Sequence, residues 1–221
     1  MKLCLQNMNV RNKRVILRVD YNVPVLNDKI LDDSKIKETL ETIFYLLNEN
    51  CQIVILSHFG KIRNELDKKK YSLEIVAKRL QELLNQEVYF SNIYFGPEVL
   101  ERVEAMKPKE ILMLENTRFM DYPKKLESKC DPQLALFWSK LGSVFVNDAF
   151  ATAHRRHAST YGISTYIPSC IGFLMQKEIG MLDRLVVHAI HPFTVIMGGA
   201  KMDDKITLIE ALLPKCEHLL C

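Results

Sequence analysis

Short apolar runs, each stopped by polar residues and separated by helical patterns, constrain this chain more than any other feature. Val15-Ile16-Leu17-Arg18-Val19 runs into Asp20-Tyr21-Asn22, and Ile53-Val54-Ile55-Leu56 into Ser57-His58-Phe59-Gly60-Lys61. Ile111-Leu112-Met113-Leu114 stops at Glu115-Asn116-Thr117-Arg118, Val144-Phe145-Val146 stops at Asn147-Asp148, and Val88-Tyr89-Phe90 is a shorter run. Strands buried on both faces read as continuous apolar runs of this length. Between them, Asp33 is expected to cap a helix with Ile36, Leu40, Ile43 and Leu47 on one face. Ser72 is expected to cap a second, carrying Leu73, Val76, Leu80, Leu83 and Leu84, while Gly96-Pro97 and Asp131-Pro132 open two more. Such alternation predicts a right-handed parallel sheet.

The expected fold class is therefore α/β, a parallel Rossmann-like sheet flanked by helices. Beyond Thr160 the pattern loosens at Gly162, Pro168 and Gly172. An amphipathic helix from Phe173 to about Val187 then precedes a strand, Phe193–Met197, the loop Gly198-Gly199-Ala200-Lys201 and a helix from about Asp203. That unit reads as the first strand and helix of a second α/β domain. The expected division is 1–172 for the first domain, 173–188 for an interdomain helix and 189–221 for the start of the second.

Composition narrows the partners. The chain has 221 residues, 48% of them hydrophobic and 26% charged, enough to bury a real core. A net charge of +3 is too mild to point to nucleic acid, and Lys68-Lys69-Lys70 and Lys124-Lys125 read as solvated surface. Six scattered cysteines without a C-x-x-C pair suggest neither zinc nor a disulfide framework. Met1-Lys2 opens no signal peptide, and no apolar run is long enough to span a bilayer. A soluble cytoplasmic protein without a membrane partner is expected.

In open parallel sheets, ligands bind beyond the carboxyl ends of the strands. Four strand ends carry polar residues suited to one site: Asp20 and Asn22; His58 and Lys61; Asn116 and Arg118; Asn147, Asp148, His154 and Arg155. Arginine and histidine donate directional, charge-assisted hydrogen bonds to carboxylate or phosphate. His154 and His157 lack a third metal ligand, and Ser57 and Ser159 lack a nucleophile elbow, so an anion site is the reading kept. The glycine pair before Lys201 is a second anion signal, although its spacing is not that of a Walker A loop.

In order, these segments resemble phosphoglycerate kinase. Arg18–Pro24 (RVDYNVP) is similar to that family's RVDFNVP, and Ser57–Lys61 (SHFGK) to SHLGR. Leu114–Phe119 (LENTRF) is similar to LENxRF, Val146–Ser159 to VNDAFGTAHRAHAS, and Gly198–Ile206 (GGAKMDDKI) to GGAKVSDKI. The resemblance implies reversible phosphoryl transfer between 1,3-bisphosphoglycerate and ADP, giving 3-phosphoglycerate and ATP, with magnesium as cofactor. It implies substrate contacts from Asp20, Tyr21, Asn22, Lys35, His58, Phe59, Gly60, Lys61, Arg118 and Arg155. It implies nucleotide contacts from Gly199, Lys201 and Lys205, and catalytic roles for Lys201 and Lys35.

Departures from the family pattern are Lys35 and Lys61, where arginines are expected, and Ala151, where the FGTAH turn has glycine. A lysine keeps the charge but loses the planar fork. Family members are about twice as long, so the resemblance implies an N-terminal half. ATP or ADP would then bind only with the missing domain, the magnesium-contacting aspartate would be absent, and turnover alone would be low. Two alternatives stay open: a pseudoenzyme that binds a phosphorylated three-carbon acid, and an interaction protein. The parent family is usually monomeric.

Overall fold

The computed structural model describes residues 3–187, 189–198 and 206–220. β1 (Arg14–Arg18) is followed by a small antiparallel hairpin, β2 (Val25–Leu26) and β3 (Lys29–Ile30), and then α1 (Ser34–Lys37) and α2 (Leu40–Asn48). β4 (Gln52–Leu56), α3 (Glu65–Lys70), α4 (Glu74–Leu84), β5 (Val88–Ser91), α5 (Pro97–Glu104) and β6 (Ile111–Leu114) come next. α6 (Pro132–Ser139), β7 (Val144–Asn147), β8 (Ser169–Ile171) and α7 (Phe173–Val187) follow. The chain divides into two compact units, Met1–Gln176 and Lys177–Cys221.

Six strands of the first unit form one parallel sheet in the order β5-β6-β4-β1-β7-β8. Alternate residues of each strand enter different cores, as a period of two requires. Val15, Leu17, Ile53, Ile55, Val144 and Val146 pack with Ile43 and Leu46 of α2 and Val76 and Leu80 of α4. Ile16, Val54, Leu56, Leu112 and Phe145 pack on the opposite face with Val99 and Val103 of α5 and Trp138 of α6. This two-sided burial is why the runs show no polar alternation. Parallel pairing also brings Arg18 level with Leu56 and Asn147, so the polar strand ends share one edge.

Local chemistry altered several expected boundaries. The helix expected from Asp33 through Leu47 is two helices, because Thr39 tightens the chain between them. Its N–H reaches Ile36 O at 3.2 Å, its hydroxyl donates to the same carbonyl at 2.8 Å, and Tyr21 Oη lies 2.7 Å from that hydroxyl. Asp33 makes no side-chain cap; it binds Lys37 and Arg79, while Asp32 accepts from Ser34 N–H at 2.9 Å. For α4 the cap comes largely from outside, since Glu115 accepts from Leu73 N–H at 2.8 Å and from the Ser72 hydroxyl at 2.6 Å. Asp131 caps α6 as its sequence predicts, accepting from Leu134 N–H at 2.9 Å.

β8 has no apolar run of its own; it forms because β7 offers a free edge. In the second unit β9 (Thr194–Ile196) pairs in parallel with β10 (His218–Leu220), and α8 (Ile206–Leu212) lies between them in sequence. The helix start expected near Asp203 falls outside the described residues. Among the described residues no helix is long and apolar enough to cross a membrane.

Candidate functional site

The loops at the shared edge of the sheet are built by side chains bonding to neighbouring backbone. Asp20 Oδ1 accepts from Asn22 N–H at 3.1 Å, a turn that aspartate forms readily. Asn22 Oδ1 then accepts from Gly60 N–H at 2.9 Å, tying the loop after β1 to that after β4. Asn116 is fully buried and bonds in several directions. Its Oδ1 accepts from Phe59 N–H and Arg118 N–H, both at 3.1 Å, while its Nδ2 donates to Phe59 O at 2.7 Å and Tyr71 O at 2.9 Å. Gly60 adopts φ +59°, and a Cβ there would come within 2.3 Å of the Tyr71 ring. Its carbonyl accepts from Arg118 Nη1, which orients that guanidinium.

These loops surround a cleft of about 600 Å³. Among the described residues its lining carries five cations, Lys35, Lys61, Arg118, Lys125 and Arg155, against two carboxylates, Asp20 and Asp121. Both carboxylates are engaged: Lys35 Nζ donates to Asp20 Oδ2 at 3.0 Å, and Asp121 Oδ1 accepts from Ser128 N–H at 2.7 Å. Burial, reinforced by Arg118 and Arg155 among other cations, holds the His58 imidazole far below its ordinary pKa. It is neutral, so its 3.7 Å approach to Asp20 is no ion pair. Burial and then Arg118 push His157 down to about 4. Arg118 is itself lowered by burial and then by Arg155, against the opposing pull of Asp121, Glu127 and Asp20.

Asp20, Asn22, Lys35, His58, Lys61, Arg118 and Arg155 therefore line one cleft. Other expected residues are placed differently. The Tyr21 side chain is buried in the core with its hydroxyl on Thr39, and Phe59 packs edge-on against Tyr71 at 5.5 Å. Gly60 contributes backbone bonds to Asn22 and Arg118. Asp148 does not face the cleft; it accepts from Thr42 Oγ1 at 2.6 Å and from Met175 N–H at 2.9 Å, and so anchors the start of α7. Asn147 caps its own turn by accepting from Ala149 N–H at 3.1 Å, and His154 is exposed beside Arg155. Gly199, Lys201 and Lys205 lie outside the described residues. Ala151 sits in a 3₁₀ turn, Phe150–Thr152, without positive φ, so alanine carries no backbone strain there.

Several residues were not legible as site residues. Ile62, Asp121, Lys125, Ser128 and Thr152 complete the cleft wall. Beneath it lie Arg18, Glu127 and Ser159, all wholly buried, with the Ser159 hydroxyl bridging the other two. For Arg18 a signal existed: an arginine inside a strand whose neighbours are all apolar needs a partner in the interior.

Comparisons with known proteins agree on one family. The family described as Phosphoglycerate kinase matches residues 5–221. A protein of Lactobacillus gasseri named phosphoglycerate kinase is 46% identical over 227 residues, covering 99% of this chain and 56% of the relative. One of Listeria innocua with the same name is 47% identical over 219 residues, covering 99% and 55%. Among solved structures, phosphoglycerate kinase from Coxiella burnetii matches with a TM-score of 0.84 and 36% identity, covering 99% of this chain and 54% of that one. The enzyme from Pyrococcus horikoshii OT3 matches with a TM-score of 0.86 and 35% identity, covering 98% and 54%. The chain spans about half the length of the curated relatives it matches.

Proposed function

The chain belongs to the phosphoglycerate kinase family, and from that premise we propose that its cleft binds the three-carbon acid of reversible phosphoryl transfer, 3-phosphoglycerate or its acyl phosphate. The observation that carries this reading is the concentration of five cations around two engaged carboxylates at the carboxyl edge of the sheet. A ligand with both a carboxylate and a phosphate offers separate anionic ends to such a cleft. Arg118 and Arg155 have the planar forks for one end, and Lys61 and Lys125 supply point charges. Asp20 and the His58 imidazole, on opposite sides of the hydrogen-bonding balance, suit a glycerate hydroxyl.

In the family reaction the acyl phosphate transfers its phosphoryl group to an oxygen of the ADP terminal phosphate, and the acid leaves as a carboxylate. Charge neutralisation and alignment dominate such a transfer. Cations that already hold the acid's far end position its acyl end without covalent participation. Lys201 and Lys205 remain the residues that the motif suggests for the transferring phosphoryl group and the nucleotide, and the salt bridge of Lys35 to Asp20 supports a place for Lys35 beside the acid. The cleft's donors do not fit magnesium. Its two carboxylates are already engaged, Asp20 by Lys35 and Asp121 by Ser128 N–H, and no group of three or more metal-ligating side chains occurs among the described residues. A glycolytic, cytoplasmic setting accompanies this proposal, supported by family membership.

Calorimetric titration with 3-phosphoglycerate tests the reading. Binding is expected, with Arg118→Gln and Arg155→Gln each weakening it by about ten- to a hundredfold, the cost of one charge-assisted contact. Absence of heat from the unmodified, folded protein at millimolar ligand would overturn it.

A further inference from the structure

A directed chain of hydrogen bonds runs from the protein interior to the cleft. Glu127 is wholly buried, and its carboxylate accepts from the Ser159 hydroxyl and, at 3.0 Å, from Ser159 N–H. With its proton committed to Glu127, the Ser159 oxygen has lone pairs free to accept, and Arg18 Nε donates to it at 2.9 Å. Arg18, also wholly buried, donates through Nη1 to Val19 O and lies with Nη2 3.2 Å from His58 Nδ1. A guanidinium has only donors to offer. His58 Nδ1 must therefore accept, and the imidazole proton must reside on Nε2, in a side chain that lines the cleft.

From this geometry we infer that Arg18 is a positioning residue that acts through His58, holding its imidazole as the neutral Nε2–H tautomer so that the cleft meets a hydrogen-bond donor, with Ser159 and Glu127 as its anchor. The groups facing His58 are the cations Arg18, Arg118, Lys35 and Arg155, with Asp20 Oδ1 3.7 Å from its Nδ1. The anchor has a physical necessity of its own. A buried guanidinium without a nearby anion is costly, and Glu127, reached through one hydroxyl and pushed up to about 7 by burial, supplies that charge above that pH. Asp20 is the other carboxylate acting on Arg18, but it is already bound by Lys35. His157 also approaches Glu127, at 3.9 Å, and its depressed pKa leaves it neutral and no substitute cation. Segments distant in sequence, around positions 127 and 159, thus hold the one guanidinium that reaches the ring nitrogen.

The binding consequence rests on the phosphoglycerate reading; the tautomer does not. Nitrogen-detected NMR of the His58 imidazole in the full chain reads the tautomer directly. In the unmodified protein His58 is expected to show protonated Nε2 and bare Nδ1 at about pH 8, where Glu127 is ionised, and a ring that stays neutral down to about pH 5. Arg18→Met combined with Glu127→Leu removes the buried pair together, so neither charge is left unmatched, and circular dichroism verifies the fold. Ser159→Ala is a milder variant that keeps both charges. In the double variant His58 is expected to populate both tautomers, with 3-phosphoglycerate bound about tenfold more weakly. Ser159→Ala is expected to shift the tautomer ratio in the same direction by less. A protonated Nδ1 in the unmodified protein, or an unaltered single tautomer in the folded double variant, would overturn the inference. Failure of the unmodified protein to bind 3-phosphoglycerate, with the tautomer as expected, would instead count against the assigned ligand alone.

Discussion

His157 shows how one side chain reports its surroundings. Burial and the nearby Arg118 bring its pKa down from the ordinary 6.5 to about 4, and its side chain is only 11% exposed. Above the unfolded value both states are neutral and the group contributes no pH dependence. As pH falls from 6.5 toward 4 the unfolded chain takes up a proton that the folded state refuses, so stability is lost on acidification. With an allowance for partial solvation, the loss across that window is about 1–2 kcal/mol. Urea unfolding at pH 7 and pH 4 checks it: His157→Gln should show a pH-dependent loss smaller than the unmodified protein's by that amount. Equal losses would mean that the imidazole is protonated in the folded state. Arg118, Arg155 and His58 were recognisable as site residues from their place after apolar runs. Glu127 and Ser159 were not, because each has an ordinary local sequence; Arg18 stood out inside its apolar run, but its partners are found only across the fold.

At the scale of elements, the loop after β4 determines whether the cleft exists. Gly60 lies at φ +59° with its N–H on Asn22 and its carbonyl on Arg118, so the two flanking loops depend on its conformation. Gly60→Ala adds left-handed strain of about 1–2 kcal/mol and a methyl 2.3 Å from the Tyr71 ring. A destabilisation of about 2–4 kcal/mol is expected, overpacking included, together with weaker 3-phosphoglycerate binding as Arg118 loses its support. Unchanged urea midpoint and affinity would show that the loop has another conformation available. The strands and the larger helices were legible because periodicity is a local property. The break at Thr39, the capping of α4 by Glu115 and the existence of β8 were not. Each depends on a group brought from elsewhere: Tyr21, a carboxylate from the end of β6, and the edge of β7.

At the scale of the whole molecule, charge is distributed unevenly. A net charge of only +3 accompanies a cleft in which five cations meet two carboxylates. The proposed ligand is anionic at both ends, so its affinity should fall as salt screens the cleft. Between about 0.01 and 1 M ionic strength the screening length shrinks from roughly 30 to 3 Å, and a drop in 3-phosphoglycerate affinity of at least about tenfold is expected by calorimetry. Salt-independent binding would place the affinity in contacts other than these cations. Overall composition conceals this concentration because it averages over a surface where most charges are dispersed.

By itself the amino-acid sequence determined the alternation of strands and helices, the parallel sheet that follows from it and the polar character of the strand ends. It also carried the ordered motifs by which the family is recognised. Those properties are local, written in spacing and in residue type. Only the tertiary structure decided which polar groups meet. Asp148, which follows the apolar run of β7 and is expected from the sequence at the ligand site, anchors α7 instead. Arg18, hidden inside an apolar run, bonds to a serine 141 residues away and to the imidazole on the cleft wall. The physical reason is that a buried polar group must be satisfied by whatever the fold brings within about 3 Å of it. That pairing is a property of three-dimensional register, which no window along the chain contains.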